Sequence, residues 1–199
     1  MQKKHFKIAL TIMAIALSNP AHPYSLNDYH KHNAGQVSNI KRIDSTYPIK
    51  NEHTVSEFGF MRCFQDMSHR YNVKKNLLIA HAIKESHLNP DAVNRQKEGE
   101  AVGLMQIHSQ WFPRLQKDYH ITRDMLLRDP CLNISVGAWI IANNFSAKGV
   151  SWDAVGAYYG GYSDSKADDR YWYYGGKGGI REIYRRLEQG EDPILIAKE

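Results

Sequence analysis

Cysteine is almost missing from these 199 residues, with only Cys63 and Cys131 present. Neither stands in a C-x-x-C pair, so thiol redox chemistry is excluded. There is no H-E-x-x-H, and His81 and His87 lie six apart, a spacing that suits no helical metal pair, so no metal site and no cofactor are expected. Alternation of the strand type is not found anywhere along the chain, which points to an all-α fold with long loops between short helices. Apolar runs long enough for a bilayer are missing too. A 42% hydrophobic and 24% charged composition is that of one globular domain, neither disordered nor fibrous.

What is present starts with an address. "MQKKHFK" is a positively charged segment, "IALTIMAIALS" is a short apolar one, and small residues follow. This is a signal peptide over residues 1–21, cleaved after Ser18 or, alternatively, after Ala21. No cysteine follows closely enough for lipid attachment, so no stable membrane anchor is expected. Lys3, Lys4 and Lys7 leave with the signal, taking the formal charge from +5 to +2. The apparent basicity is therefore no argument for nucleic acid. Export also makes "RYWYYGGKGGIREIYRR" a set of core aromatics beside a glycine loop rather than a single-strand binder. In an oxidising compartment Cys63 and Cys131 are expected to pair, with two buried free thiols as the alternative.

Residues 22–57 are polar and without apolar period, a flexible arm. Order is expected from Phe58. Phe60, Cys63, Phe64 and Met67 share one helix face, and Asn72 ends that helix. "VKKNLLIAHAIKES" is a second helix, with Leu78, Ala82 and Glu85 on its apolar stripe. "NPDAVNRQKEGEAV" reads as an irregular loop. "DPCLNISVGAWIIANNF" opens on Asp129 as N-cap and Pro130 at N1, and buries Ile134, Ala138 and Ile141. Ser151 caps a short helix that stops at a glycine pair. "GGIREIYRRLEQG" is the last helix, with Ile180, Ile183, Tyr184 and Leu187 inward, and residues 191–199 are a tail.

Glu85 is the unusual residue, a carboxyl on an apolar stripe at a helix end. Such a setting disfavours the charged form and raises the pKa, making a proton donor near neutral pH. Its neighbours carry a resemblance: Glu85-Ser86, "NPDAVN" at 89–94 and "GLMQI" at 103–107, followed by "DPCLNISVGAWIIANN" and "WDAVGAYYGG". Residues 60–187 resemble the soluble lytic transglycosylases, peptidoglycan-cleaving enzymes. The nearer match is their small single-domain branch that accompanies secretion, conjugation and pilus machines.

The resemblance implies a goose-lysozyme-like helical domain over residues 58–190 with a substrate groove. It implies Glu85 as general acid and base, and Ser86, Gly103, Met105, Gln106, Ile107, Asn133 and Tyr158 as substrate-binding positions. It also implies a periplasmic monomer acting on peptidoglycan glycan strands beside components of an envelope machine. Three positions depart from the family pattern: His108 and Tyr159 stand where Asn is customary, and Gly179 where a tyrosine is frequent. Tyr171, Tyr173 or Tyr174 could supply that late tyrosine. Two other readings stay open. A hydrolytic muramidase would need a second carboxylate, Glu98 or Glu100, and a non-catalytic peptidoglycan-binding assembly factor would need neither.

Overall fold

The computed structural model describes residues 59–199. The signal peptide, the polar arm and Phe58 lie outside the described residues. Helix α1 (Met61–Tyr71) buries Phe64, Met67 and Tyr71 and ends at Asn72 in the left-handed conformation. Helix α2 (Lys75–Ser86) buries every residue from Leu77 to Ile83. An amphipathic stripe would leave one side polar, so this run can only sit inside the molecule. It stops because His87 and Leu88 both turn left-handed, at φ of 53° and 61°. Leu88, 2% exposed, anchors that strained turn in the core.

The second buried helix is α5, reached through α3 (Phe112–Tyr119) and α4 (Arg123–Arg128). α5 (Pro130–Lys148) starts where expected: the Asp129 side chain accepts from the Leu132 amide and Pro130 stands at N1. Leu132 through Ala142 are all buried. α6 (Trp152–Gly160), capped by Ser151 on the Ala154 amide, packs on α5 and closely on α7 (Ala167–Gly175). α8 (Ile180–Glu188) closes over α2 with Ile180, Ile183 and Leu187 buried, while Tyr184 is half-buried. In what reads as a tail, Asp192 caps a further short helix, α9 (Pro193–Ala197), which docks Ile196 onto the core beside α2.

The chain is predominantly helical, as expected, with one correction. The stretch read as an irregular loop supplies β1 (Val93–Gln96) and β2 (Gly99–Val102) of a small antiparallel sheet, which β3 (Ile107–His108) beyond it completes, in that order. Arg95 pairs with Glu100, and Val102 with Ile107. The strands are short, and all of β1 after Val93 is exposed, so no apolar alternation marks it. Only the inner edge of the sheet is anchored by side chains, through the fully buried pair Val102 and Ile107.

Cys63 and Cys131 form the expected disulfide, with Cα atoms 5.5 Å apart, tying α1 to the start of α5. It closes a loop of sequence separation 68. In the chain-entropy treatment such a link stabilises by about 4 kcal/mol. Replacing both cysteines with serine should lower the denaturant midpoint by a corresponding amount; an unchanged midpoint would show that the link adds nothing to folding.

Candidate active site

Glu85 sits in the last turn of α2, one turn after His81 and therefore on the same face. The side chain is half-buried. Its Oε1 accepts a 2.5 Å hydrogen bond from the Tyr173 hydroxyl, which α7 brings across from 88 residues away. Among the described residues Oε2 accepts no hydrogen bond. Three influences act on the carboxyl. Loss of solvent raises its pKa, and is the largest; the Tyr173 bond and the charge of Lys84 lower it. Desolvation wins, and the pKa is pushed up to about 7. Such a group holds and releases a proton near neutrality.

Tyrosines wall this carboxyl. Tyr158 of α6 and Tyr173 of α7 are both held well above the ordinary phenol pKa by burial, and the Glu85 charge adds to it. Both therefore stay protonated. Tyr159, 56% exposed, stacks on Tyr173 with ring centroids 5.3 Å apart and an interplanar angle of 8°. Trp172 continues the row at 5.6 Å, and Lys84 lies over its ring. Tyr171 is exposed and Tyr174 stacks on Trp152, so of the three tyrosines open to the late position only Tyr173 reaches the carboxyl. Gly179 is elsewhere, capping α8.

The turn between β2 and β3, residues 103–106, lies against the end of α2. The Ser86 hydroxyl donates to the Leu104 carbonyl at 2.8 Å and to the Ala82 carbonyl at 3.1 Å. Asn133 holds the turn from beneath. Its Oδ1 accepts from the Met105 amide, and its Nδ2 donates to the carbonyls of Val102 and Leu126. Gly103 has φ +75°, and a Cβ there would stand 2.2 Å from Asn133 Nδ2, so only glycine fits. The Tyr158 hydroxyl donates to the Met105 carbonyl at 2.6 Å. Gln106, itself left-handed at φ 45°, donates its amide to the carbonyls of Ala92 and Gly103.

These positions are thus brought together, but largely as a frame. Met105, Ile107 and Asn133 expose nothing, and Ser86 and Gln106 hardly more. Their side chains hold the turn at 103–106 against the end of α2. His108 accepts from the Gln110 amide at the start of a 3₁₀ turn. Glu98 is exposed, and Glu100 accepts from Nε and Nη2 of Arg123, which hold its carboxyl below the usual range. A separate cavity lined by Met61, Asn76, Ile79 and Leu187 opens at the other end of α2, about 15 Å along the helix.

One further residue belongs to the site and to no motif. His81 is fully buried, and its Nδ1 lies 2.9 Å from the Tyr173 hydroxyl. Its position one turn before Glu85 was the available signal.

Residues 62–177 match the model of the transglycosylase SLT domain family. The chain is 38% identical over 128 residues to invasion protein IagB of Salmonella typhi, covering 64% of this chain and 78% of that one. It is 32% identical over 152 residues to a peptidoglycan-binding-like protein of Escherichia coli O157:H7, covering 73% and 89%. Protein IpgF of Shigella flexneri is 34% identical over 133 residues, 66% of this chain and 83% of its own.

Replacing Asn133 with alanine removes the side-chain bonds to the Met105 amide and to the Val102 and Leu126 carbonyls. The expected loss is about 3 kcal/mol, read as a lowered denaturant midpoint; an unchanged midpoint would mean the turn is held by other contacts.

Proposed function

The chain belongs to the transglycosylase SLT domain family, and from that premise we propose that it is a peptidoglycan lytic transglycosylase with Glu85 as its single acid and base. In the proposed reaction, protonated Glu85 gives its proton to the oxygen joining N-acetylmuramic acid to N-acetylglucosamine. The C1–O bond breaks, and the substrate's own acetamido oxygen stabilises the sugar cation. Carboxylate Glu85 then takes the proton of the muramic C6 hydroxyl, whose oxygen closes a 1,6-anhydro ring. No water is consumed, and Glu85 ends as it began.

The observation that carries this reading is the carboxyl itself, with a pKa near neutrality, one oxygen tied to Tyr173 and the other left for a ligand. Glycosidases that use two carboxylates keep the second one available. Here Glu100 is committed to Arg123, which favours the one-carboxylate route over the hydrolytic one. The disulfide fits an oxidising compartment, and among the described residues no helix is long and apolar enough to cross a membrane. We read the mature protein as a periplasmic monomer, exported by residues 1–21. Its work there is to open the wall locally for an envelope-spanning secretion, conjugation or pilus apparatus, and residues 22–57 are the segment proposed to dock on that apparatus. Relatives named for invasion and for peptidoglycan binding support that setting.

Purified sacculi digested with the protein should yield 1,6-anhydro-muropeptides by mass spectrometry; reducing ends would mean a hydrolase, and no release a binding factor. Glu85→Gln should abolish release while keeping the fold. The stability change has a defined sign. Because folding raises the Glu85 pKa, the wild-type protein loses stability as pH rises from about 4.5 to about 7. Glutamine does not ionise, so above pH 7 the variant should be more stable by about 3 kcal/mol, and below pH 4.5 the gap should close. Equal stability at all pH values would contradict the raised pKa.

A further inference from the structure

His81, Tyr173 and Glu85 form a row of three polar groups joined by two hydrogen bonds, and the direction of that row has chemical consequences. The distances are 2.9 Å from His81 Nδ1 to the Tyr173 oxygen and 2.5 Å from that oxygen to Glu85 Oε1. The phenol has one proton to give. When Glu85 is ionised, the phenol must donate to it, so Tyr173 can only accept from His81. Nδ1 must then carry the hydrogen.

The far nitrogen of the ring decides what happens when Glu85 is protonated. His81 is 0% exposed, and among the described residues its Nε2 has no hydrogen-bond partner. The rings of Tyr158 and Tyr173 pack at 5.0 and 5.7 Å from it. Reversing the row would have Oε1–H donate to Tyr173 and Tyr173 donate to Nδ1. That moves the imidazole hydrogen to Nε2, where a buried N–H would have no acceptor. A buried bare lone pair is less costly than a buried orphan N–H. Full burial also keeps the ring neutral, its pKa lowered to about 3, so it does not donate from both sides.

We propose that His81 is a positioning residue for Glu85: acting through Tyr173, it fixes the row in one direction and thereby places the acid proton on Oε2, the oxygen left for a ligand. The inference deepens the proposed function and rests on it for the meaning of "acid proton"; the direction of the row is a separate property. His81 touches neither solvent nor ligand, so it acts on proton placement and not on binding. The titratable groups facing Glu85 are Tyr173 from α7, Tyr158 from α6 and Lys84 from α2 itself. Those facing His81 are Tyr158 and Tyr173.

The first test does not need activity. Nitrogen-15 NMR of the full folded chain labelled in histidine should show His81 neutral, with Nδ1 protonated and Nε2 bare, from pH 5 to 8. The opposite tautomer, or an imidazolium, overturns the proposal. The second test uses His81→Leu, which removes the donor, and His81→Asn, which offers an amide N–H near the Nδ1 position. His81→Leu should lower kcat about ten-fold with KM unchanged. It should also shift the limb on which kcat falls with rising pH upward, because a freed Tyr173 donates less firmly to the carboxylate. His81→Asn should restore both. In a Tyr173→Phe background, His81→Leu should have no further effect. Equal loss in the leucine and asparagine variants, a full-sized effect without the Tyr173 hydroxyl, or a raised KM alone would overturn it. If the wild-type protein cleaves no glycan, the proposed function fails and the NMR result still decides the direction of the row.

Discussion

Everything at this site depends on a carboxyl that is kept partly out of water yet not neutralised by a partner cation. Desolvation pushes Glu85 up, while one phenol and one lysine pull it back, and the balance stops near neutral pH. A buried arginine would have pulled it down and made a permanent anion. Purely apolar walls would have pushed it further up and held the proton too tightly. Tyr173 supplies the intermediate case, a neutral donor that orients one oxygen without adding charge. Burial of the phenol, which keeps it protonated, comes from the same packing of α7 against α6 that brings it to Glu85.

The remainder of the domain serves to hold that carboxyl beside a wall of fixed shape. α2 and α5 are buried on nearly all sides, so neither can shift without disturbing the core. α5 reaches up through Asn133 to grip the turn at 103–106, α2 through Ser86, and α6 through Tyr158. A turn containing a left-handed glutamine would be costly alone. Here side chains from three helices determine its conformation.

Much of this was legible in the chain itself, for local reasons. Asp129-Pro130 and Ser151 are caps whose chemistry acts within three residues, so sequence suffices to locate those helix starts. Glu85 stood out because a carboxyl on an apolar stripe is costly without a purpose. The small sheet was not legible, since its strands are two to four residues long, too short for alternation to show, and the first is exposed after Val93. Tyr171, Tyr173 and Tyr174 share one helix, and only the packing of α7 decides which of them meets Glu85. The six-residue spacing of His81 and His87 excludes a metal pair but carries no sign of the contact His81 does make, a hydrogen bond across the fold. Nor can a motif distinguish side chains that touch a ligand from those, such as Asn133, that hold the backbone beside it.

The most direct measurement is a carbon-13 NMR titration of the Glu85 carboxyl in the folded, ligand-free protein. The expected midpoint is about 7, well above the ordinary glutamate value of 4.5. A midpoint at the ordinary value, in a chain that keeps its fold through the titration, would contradict the claim that this site keeps a proton ready for a glycosidic oxygen.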